Sequence, residues 1–351
     1  MNTDTEKGNE FFLKFGNRKP DKTGVPLLAP YYSYLLKLSP SVGLVEIYPW
    51  LAELIFCSVA VNTENNANEE IHPVNVISFF IDDQRKNIAL SMGWNNVGKV
   101  DDPFLGCLID YCESSKIDNN WPRNFVVDTF GRFGVSGHFE LTPESEGKYT
   151  YMWSSLVGAG NPMRMKERFT HIGRRKDIEL KGNNDHPKLG ELNCFLINSI
   201  SSLYRTMGFR DAMLLVRAML QDGVWKPEEP KGKDSLLSRP GMMFAILNEG
   251  VFASDEIQYA ETFFDGIFRF EKEVVLTLEE NETKLKEGDR LVTVSIERFP
   301  LIAEENENFS PKYAEKYGYI PRGRKRVEFI NLQGYETQPL QQSTPVDVEE
   351  E

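Results

Sequence analysis

The residues best suited to chemistry stand in one stretch, "RMKERFTHIGRRKDIELK" (164–181), where seven of eighteen positions are Lys or Arg. The chain as a whole carries 53 Asp and Glu against 40 Lys and Arg, a formal charge of −13. That overall charge opposes indiscriminate attachment to nucleic acid or to an anionic membrane, so any positive site must be a local one. Asn161-Pro162 has the form of a helix start and Gly173 that of a stop, which predicts a helix over 162–172. On that helix Arg164, Arg168 and His171 fall at i, i+4 and i+7, a single stripe. Arg174, Arg175 and Lys176 carry the charge past Gly173, and a second cluster, Arg322, Arg324, Lys325 and Arg326, stands in "PRGRKRVEF". Guanidinium forks grip phosphate oxygens with paired bonds, and each neutralised phosphate releases a counterion. The expected function is non-catalytic binding of nucleic acid or another polyanion, with a homo-oligomer multiplying weak individual faces. The opposing expectation is that both clusters pair with the chain's own excess of carboxylates.

Two other readings use the same region. Glu179 and Lys181 have the E-x-K spacing of a PD-(D/E)xK-type nuclease, and Asp128, closing the apolar run "NFVVD", is the candidate partner carboxylate. Such carboxylates hold Mg²⁺ while the lysine orients water. Against this, "KDIELKGNND" is polar for a central strand. Mg²⁺ is expected only under this alternative; otherwise no cofactor or metal is. The third reading is a structural or assembly protein whose basic clusters meet acidic surfaces of neighbouring subunits.

Other chemistry is thin. His138, His171 and His186 have no diagnostic carboxylate spacing, and no G-x-S-x-G occurs. The glycines and phenylalanines of "FGRFGVSGHF" (130–139) fit a bulged, tightly turned hairpin, and no GK[ST] follows to make a phosphate loop. Cys57, Cys107, Cys112 and Cys194 fit neither a redox pair nor a zinc knuckle and read as free thiols of a reducing cytoplasm. The most apolar region, 25–61, is interrupted by Lys37, Glu46, Glu53 and prolines. It reads as buried core, not as a membrane span, which needs roughly 20 clean apolar residues.

The elements expected to position these residues form an α+β fold with an antiparallel-rich first half, a helical middle and a closing β-hairpin. Strands are expected at 74–81 and 87–94 as a hairpin, and at 124–130, 134–141 and 148–157. Spacings of four, four, three and four from Leu192 through Leu196, Ile200 and Leu203 to Met207 predict a helix. With a second helix from Phe209, it makes a helical hairpin over 188–222. Further helices are expected at 241–249 and 255–268, and a hairpin at 273–280 and 290–299. The expected organisation is a mobile segment 1–23, a body 24–334 divisible near 158–190 and at the linker 226–235, and an acidic disordered tail 335–351.

Overall fold

The computed structural model describes residues 32–53, 74–79, 123–128, 139–141, 150–154, 192–221, 224, 241–277, 285–299, 316–321, 327, 329–332 and 335–340. Its first strand, β1 (Ser33–Leu38, SYLLKL), is buried at every position. A strand covered on both faces needs no polar alternation, so its sequence is an apolar run. Helix α1 follows over 44–53. The next strands are β2 (Val74–Phe79), β3 (Arg123–Asp128), β4 (Phe139–Leu141), β5 (Thr150–Ser154) and β6 (Leu192–Ile197). Helices α2 (Ile200–Met207) and α3 (Phe209–Leu220) lead to β7 (Gly241–Asn248), a 3₁₀ turn at Glu249–Val251 and α4 (Ser254–Glu261). The chain closes with β8 (Gly266–Thr277), β9 (Arg290–Arg298), β10 (Lys316–Tyr319), β11 (Phe329–Asn331) and β12 (Glu336–Pro339).

All twelve strands join one sheet in the order β11-β10-β9-β8-β1-β7-β6-β2-β3-β5-β4, with β12 paired to β8. From β8 to β5 every neighbouring pair is parallel. Antiparallel strands flank this centre, β4 at one end and β9, β10 and β11 at the other. The long strand β8 pairs with β1 along its first half and with β12 along its second, so β12 lies in line with β1 on one edge.

This is an α/β fold, and the expectation of an α+β fold with an antiparallel-rich first half is corrected by the pairing. The supposed hairpin partner of β2 has no edge to occupy, because β2 is parallel to β3 on one side and to β6 on the other; residues 87–94 lie outside the described set. The helix expected from Leu192 begins only at Ile200, since Leu192–Ile197 is β6. The helix expected at 241–249 is β7. Both errors have one cause: a strand buried on two faces is apolar at successive positions and satisfies helical spacing by default. The second helix of the expected pair and the closing hairpin of β8 and β9 are present. Strand β12 occupies the first residues of the stretch expected as tail.

Two cores sandwich the sheet. On one face Tyr34, Leu36, Leu38, Phe244, Phe268 and Phe270 meet α1 through Ile47, Tyr48, Trp50 and Leu51. On the other, Leu35, Phe195, Ile197, Met243 and Ala245 meet α2, α3 and α4 through Ile200, Leu203, Met213, Val216 and Ala260. Alternate residues of β1 thus serve opposite cores, as the two-residue period of a strand requires.

Candidate functional site

The chain leaves β1 toward the face of α1, and it leaves the neighbouring strand β7 toward the face of α4. Where adjacent parallel strands send the chain to opposite faces, the carboxyl ends of those strands form the edge at which α/β sheets bind ligands. Here that edge is walled by the loop 39–43 after β1 and the 3₁₀ turn after β7, which pack on each other through Pro40 and Gly250, beside Asn198 and Ser199 at the end of β6.

Glu46 organises the first of these walls. Its Oε2 accepts the Gly43 N–H at 2.9 Å, its Oε1 pairs with Lys272 at 2.7 Å, and its carbonyl accepts the Tyr319 hydroxyl at 2.9 Å. A glutamate three residues into a helix that reaches back to the entry N–H is half of a capping box. The start of α1, where a free anion would find exposed N–H groups, therefore already carries an internal carboxylate. On the second wall the Asn248 side chain accepts the Gly250 N–H at 3.0 Å, and Ser201 Oγ accepts the Asn248 N–H at 3.1 Å. At the end of β6 the Asn198 amide donates to the Tyr48 hydroxyl, while its Oδ1 is buried and has no partner among the described residues.

Beside this edge, on the face of α4, lies a partly buried ionic cluster. Lys37 Nζ bonds Glu261 at 2.7 Å and Glu297 at 2.6 Å, with Glu249 at 3.7 Å, and only 7% of its side chain is exposed. Burial works against its charge, but the bonds and fields of Glu261 and Glu297 outweigh that and hold the ammonium above the ordinary lysine range. Arg269 bridges Glu249 and Glu271. Burial opposes its charge too, and the neighbouring glutamates again prevail, raising its pKa. Sequence reading took Lys37 only as an interruption of an apolar run. Its partner Glu261 is 224 residues away, so no local signal exists.

Of the residues singled out in the sequence, Arg164, Arg168, His171, Arg174, Arg175 and Lys176 lie between β5 and β6, outside the described residues. Arg322, Arg324, Lys325 and Arg326 lie between β10 and β11, also outside them. The flanking strands do have places: β10 is eight strand positions from β5 and five from β6, or about 38 and 24 Å at roughly 4.8 Å per strand. For the nuclease alternative, Asp128 is the last residue of β3, opposite Ser154 of β5, while Glu179 and Lys181 lie outside the described residues. Among the described residues no group of three His, Cys, Asp or Glu side chains is arranged to hold a metal ion, and no helix is long and apolar enough to cross a membrane.

No family model and no curated protein matches the chain. Solved structures similar to it include an uncharacterized protein of Pyrococcus horikoshii in complex with an unknown peptide, 12% identical with a TM-score of 0.42, covering 90% of this chain and 94% of that one. The flagellar accessory protein FlaH of Methanocaldococcus jannaschii is 10% identical with a TM-score of 0.34, covering 91% and 94%. A KaiC-like protein of Pyrococcus horikoshii OT3 is 13% identical with a TM-score of 0.38, covering 88% and 96%.

Proposed function

We propose that the chain is a non-catalytic, cytoplasmic protein that binds nucleic acid or another polyanion at the carboxyl edge of its sheet, acting as a homo-oligomer. The observation that supports this is the direction of the β10–β11 hairpin. Strand β10 is antiparallel to β9, which is antiparallel to β8, so β10 runs with the parallel strands and ends at Tyr319 on their carboxyl side. Tyr319 is fastened to Glu46 at this edge, and Val327, on the return, is buried in the same core as α1. The seven residues between these anchored ends, 320–326, include Arg322, Arg324, Lys325 and Arg326. In this reading they meet phosphates at the edge where α/β sheets receive ligands, and Arg164, Arg168, His171, Arg174, Arg175 and Lys176 extend the contact.

The test is a titration of labelled DNA and RNA at several salt concentrations. Wild type is compared with an Arg322/Arg324/Arg326→Ala variant and an Arg164/Arg168/Arg175→Ala variant. Each lost phosphate contact lowers the slope of log affinity against log salt by about 0.7 to 0.9. Equal affinity and equal slope in all three proteins would reject the proposal.

A further inference from the structure

Helices α2, α3 and α4 turn a second charged surface to solvent. Helix α3 buries Ala212, Met213, Leu215, Val216, Ala218, Met219 and Leu220, which leaves Arg210, Leu214 and Arg217 as its exposed stripe at i, i+4 and i+7. Arg205 is exposed in the last turn of α2, and Gly208 at φ 79° turns the chain sharply from α2 into α3. Elsewhere Lys37, Arg269, Lys272 and Lys316 each pair with a glutamate. Arg205, Arg210 and Arg217 meet no carboxylate among the described residues. Asp211 and Asp255 sit in the first turns of α3 and α4, where the helix dipole accommodates them.

Aromatic rings line the junction of α3 with α4. Phe209, next to Arg210, meets Tyr259 of α4 edge-on at 5.8 Å, and Tyr259 meets Phe263 edge-on at 5.2 Å. Behind them Phe252 contacts both Phe209 and Tyr204. Tyr259 nevertheless stays 51% exposed. Its ring is held on two sides by neighbours yet open to solvent, so much of the ordering cost of a stacked contact is already met.

We propose that this surface binds single-stranded nucleic acid, with Arg205, Arg210 and Arg217 on phosphates and Tyr259 stacked on an unpaired base. Guanidinium groups that meet no carboxylate among the described residues, on a chain of charge −13, select an anionic ligand. The exposed ring selects one that offers a flat apolar face, which a single strand presents and a duplex hides. Arg210 and Arg217 stand about 10 Å apart along the helix axis at roughly 1.5 Å per residue, a span within reach of neighbouring phosphates on a flexible strand. The inference takes its ligand class from the polyanion reading but uses other residues, so the two can fail separately.

The test is fluorescence anisotropy with a labelled oligothymidylate and with a duplex of equal length, over a salt series, using the full chain. An Arg205/Arg210/Arg217→Ala variant should bind the single strand more weakly, with the salt slope reduced by about 2. Tyr259→Ala should lose about ten-fold in affinity at unchanged slope, Tyr259→Phe should bind as wild type, and the duplex should not respond to either. The substituted side chains are exposed, and an unchanged urea midpoint verifies that each variant is folded. Single-strand affinity equal to wild type in both the arginine and the Tyr259→Ala variants would overturn the proposal. If the 322–326 and 164–176 variants lost binding in that same experiment, the polyanion reading would survive without it. Competition by polyglutamate, with dependence on the arginines but not on Tyr259, would assign the surface to an acidic protein partner and overturn it as well.

Discussion

The indole N–H of Trp50 donates to the hydroxyl of Tyr317 at 3.0 Å, with both side chains closed to solvent and 267 residues apart in sequence. This bond ties α1 to the antiparallel flank of the sheet, and Trp50 also packs edge-on against Phe268 and Phe270. Burial pushes the Tyr317 phenol well above its ordinary range, so it remains a neutral partner. Removing either end leaves the other buried and unpaired. Tyr317→Phe should cost about 1–3 kcal/mol, and Trp50→Phe more, about 2–4 kcal/mol, because a cavity is added. Urea denaturation should show the double variant less destabilised than the sum of the two, since the second substitution removes a group the first had stranded.

Lys37 should be a larger single determinant of stability. Lys37→Met would leave Glu261, Glu297 and Glu249 facing one another without their central cation. Breaking a fully buried pair from one side costs about 3–5 kcal/mol. Because Glu261 and Glu297 keep 21% and 35% of their side chains in solvent, the loss should fall toward the lower end. Adding Glu261→Gln and Glu297→Gln to Lys37→Met should recover part of the loss, whereas a general packing defect would not respond. The pH dependence has a definite sign. The folded-state pKa of Lys37 is raised above the ordinary lysine value of 10.5, so its contribution is complete below that value and is lost as pH rises through the higher folded value. Wild type should therefore lose more stability than Lys37→Met in strongly alkaline urea titrations.

These two contacts also mark where the sequence stops being informative. The spacing from Leu192 to Met207 satisfied a helix because β6 is buried on both faces and offers no polar alternation to betray its period. Helix α3 was legible because one of its faces is wet, so Arg210, Leu214 and Arg217 interrupt the apolar residues at helical intervals. The β8–β9 hairpin was legible through its alternating residue types, Thr293 and Ser295 between Val292, Val294 and Ile296, although the face expected to be wet is not, since Thr293 is buried and Ser295 half-buried. The parallel centre was not, because its pairing joins strands distant in sequence, such as Leu36 with Ile246 and Phe268. At the site, Glu46 and Lys37 had been noted only as charges within an apolar region; their partners come from β8, β9, β10 and α4.

Gly318 should resist enlargement. It sits mid-strand in β10 between the buried Tyr317 and Tyr319, and a Cβ there would collide with Leu291 Cδ1 and stand 3.1 Å from Leu332 Cδ1. Both leucines belong to the small core beneath β11, so their methyl ends can shift only by disturbing Val275 and Leu285. Gly318→Ala should cost about 1–3 kcal/mol through overpacking. Pairing it with Leu291→Val, which withdraws the obstructing methyl, should restore part of that in urea or thermal unfolding.

Cys194 should be chemically silent in the native protein. It lies in β6 with no solvent exposure, between Met242 of β7 and Val76 of β2 in the sheet register. Burial alone pushes its thiol well above the usual range, so the thiolate that would react with an alkylating agent is scarce at neutral pH. Iodoacetamide labelling followed by peptide mapping should leave Cys194 unmodified in buffer and modify it in urea. Labelling in buffer at the rate of a free thiol would mean that β6 opens readily. It would also mean that the carboxyl end of β6, with Asn198 and Ser199, is not the fixed surface that the packing of Phe195, Leu196 and Ile197 implies.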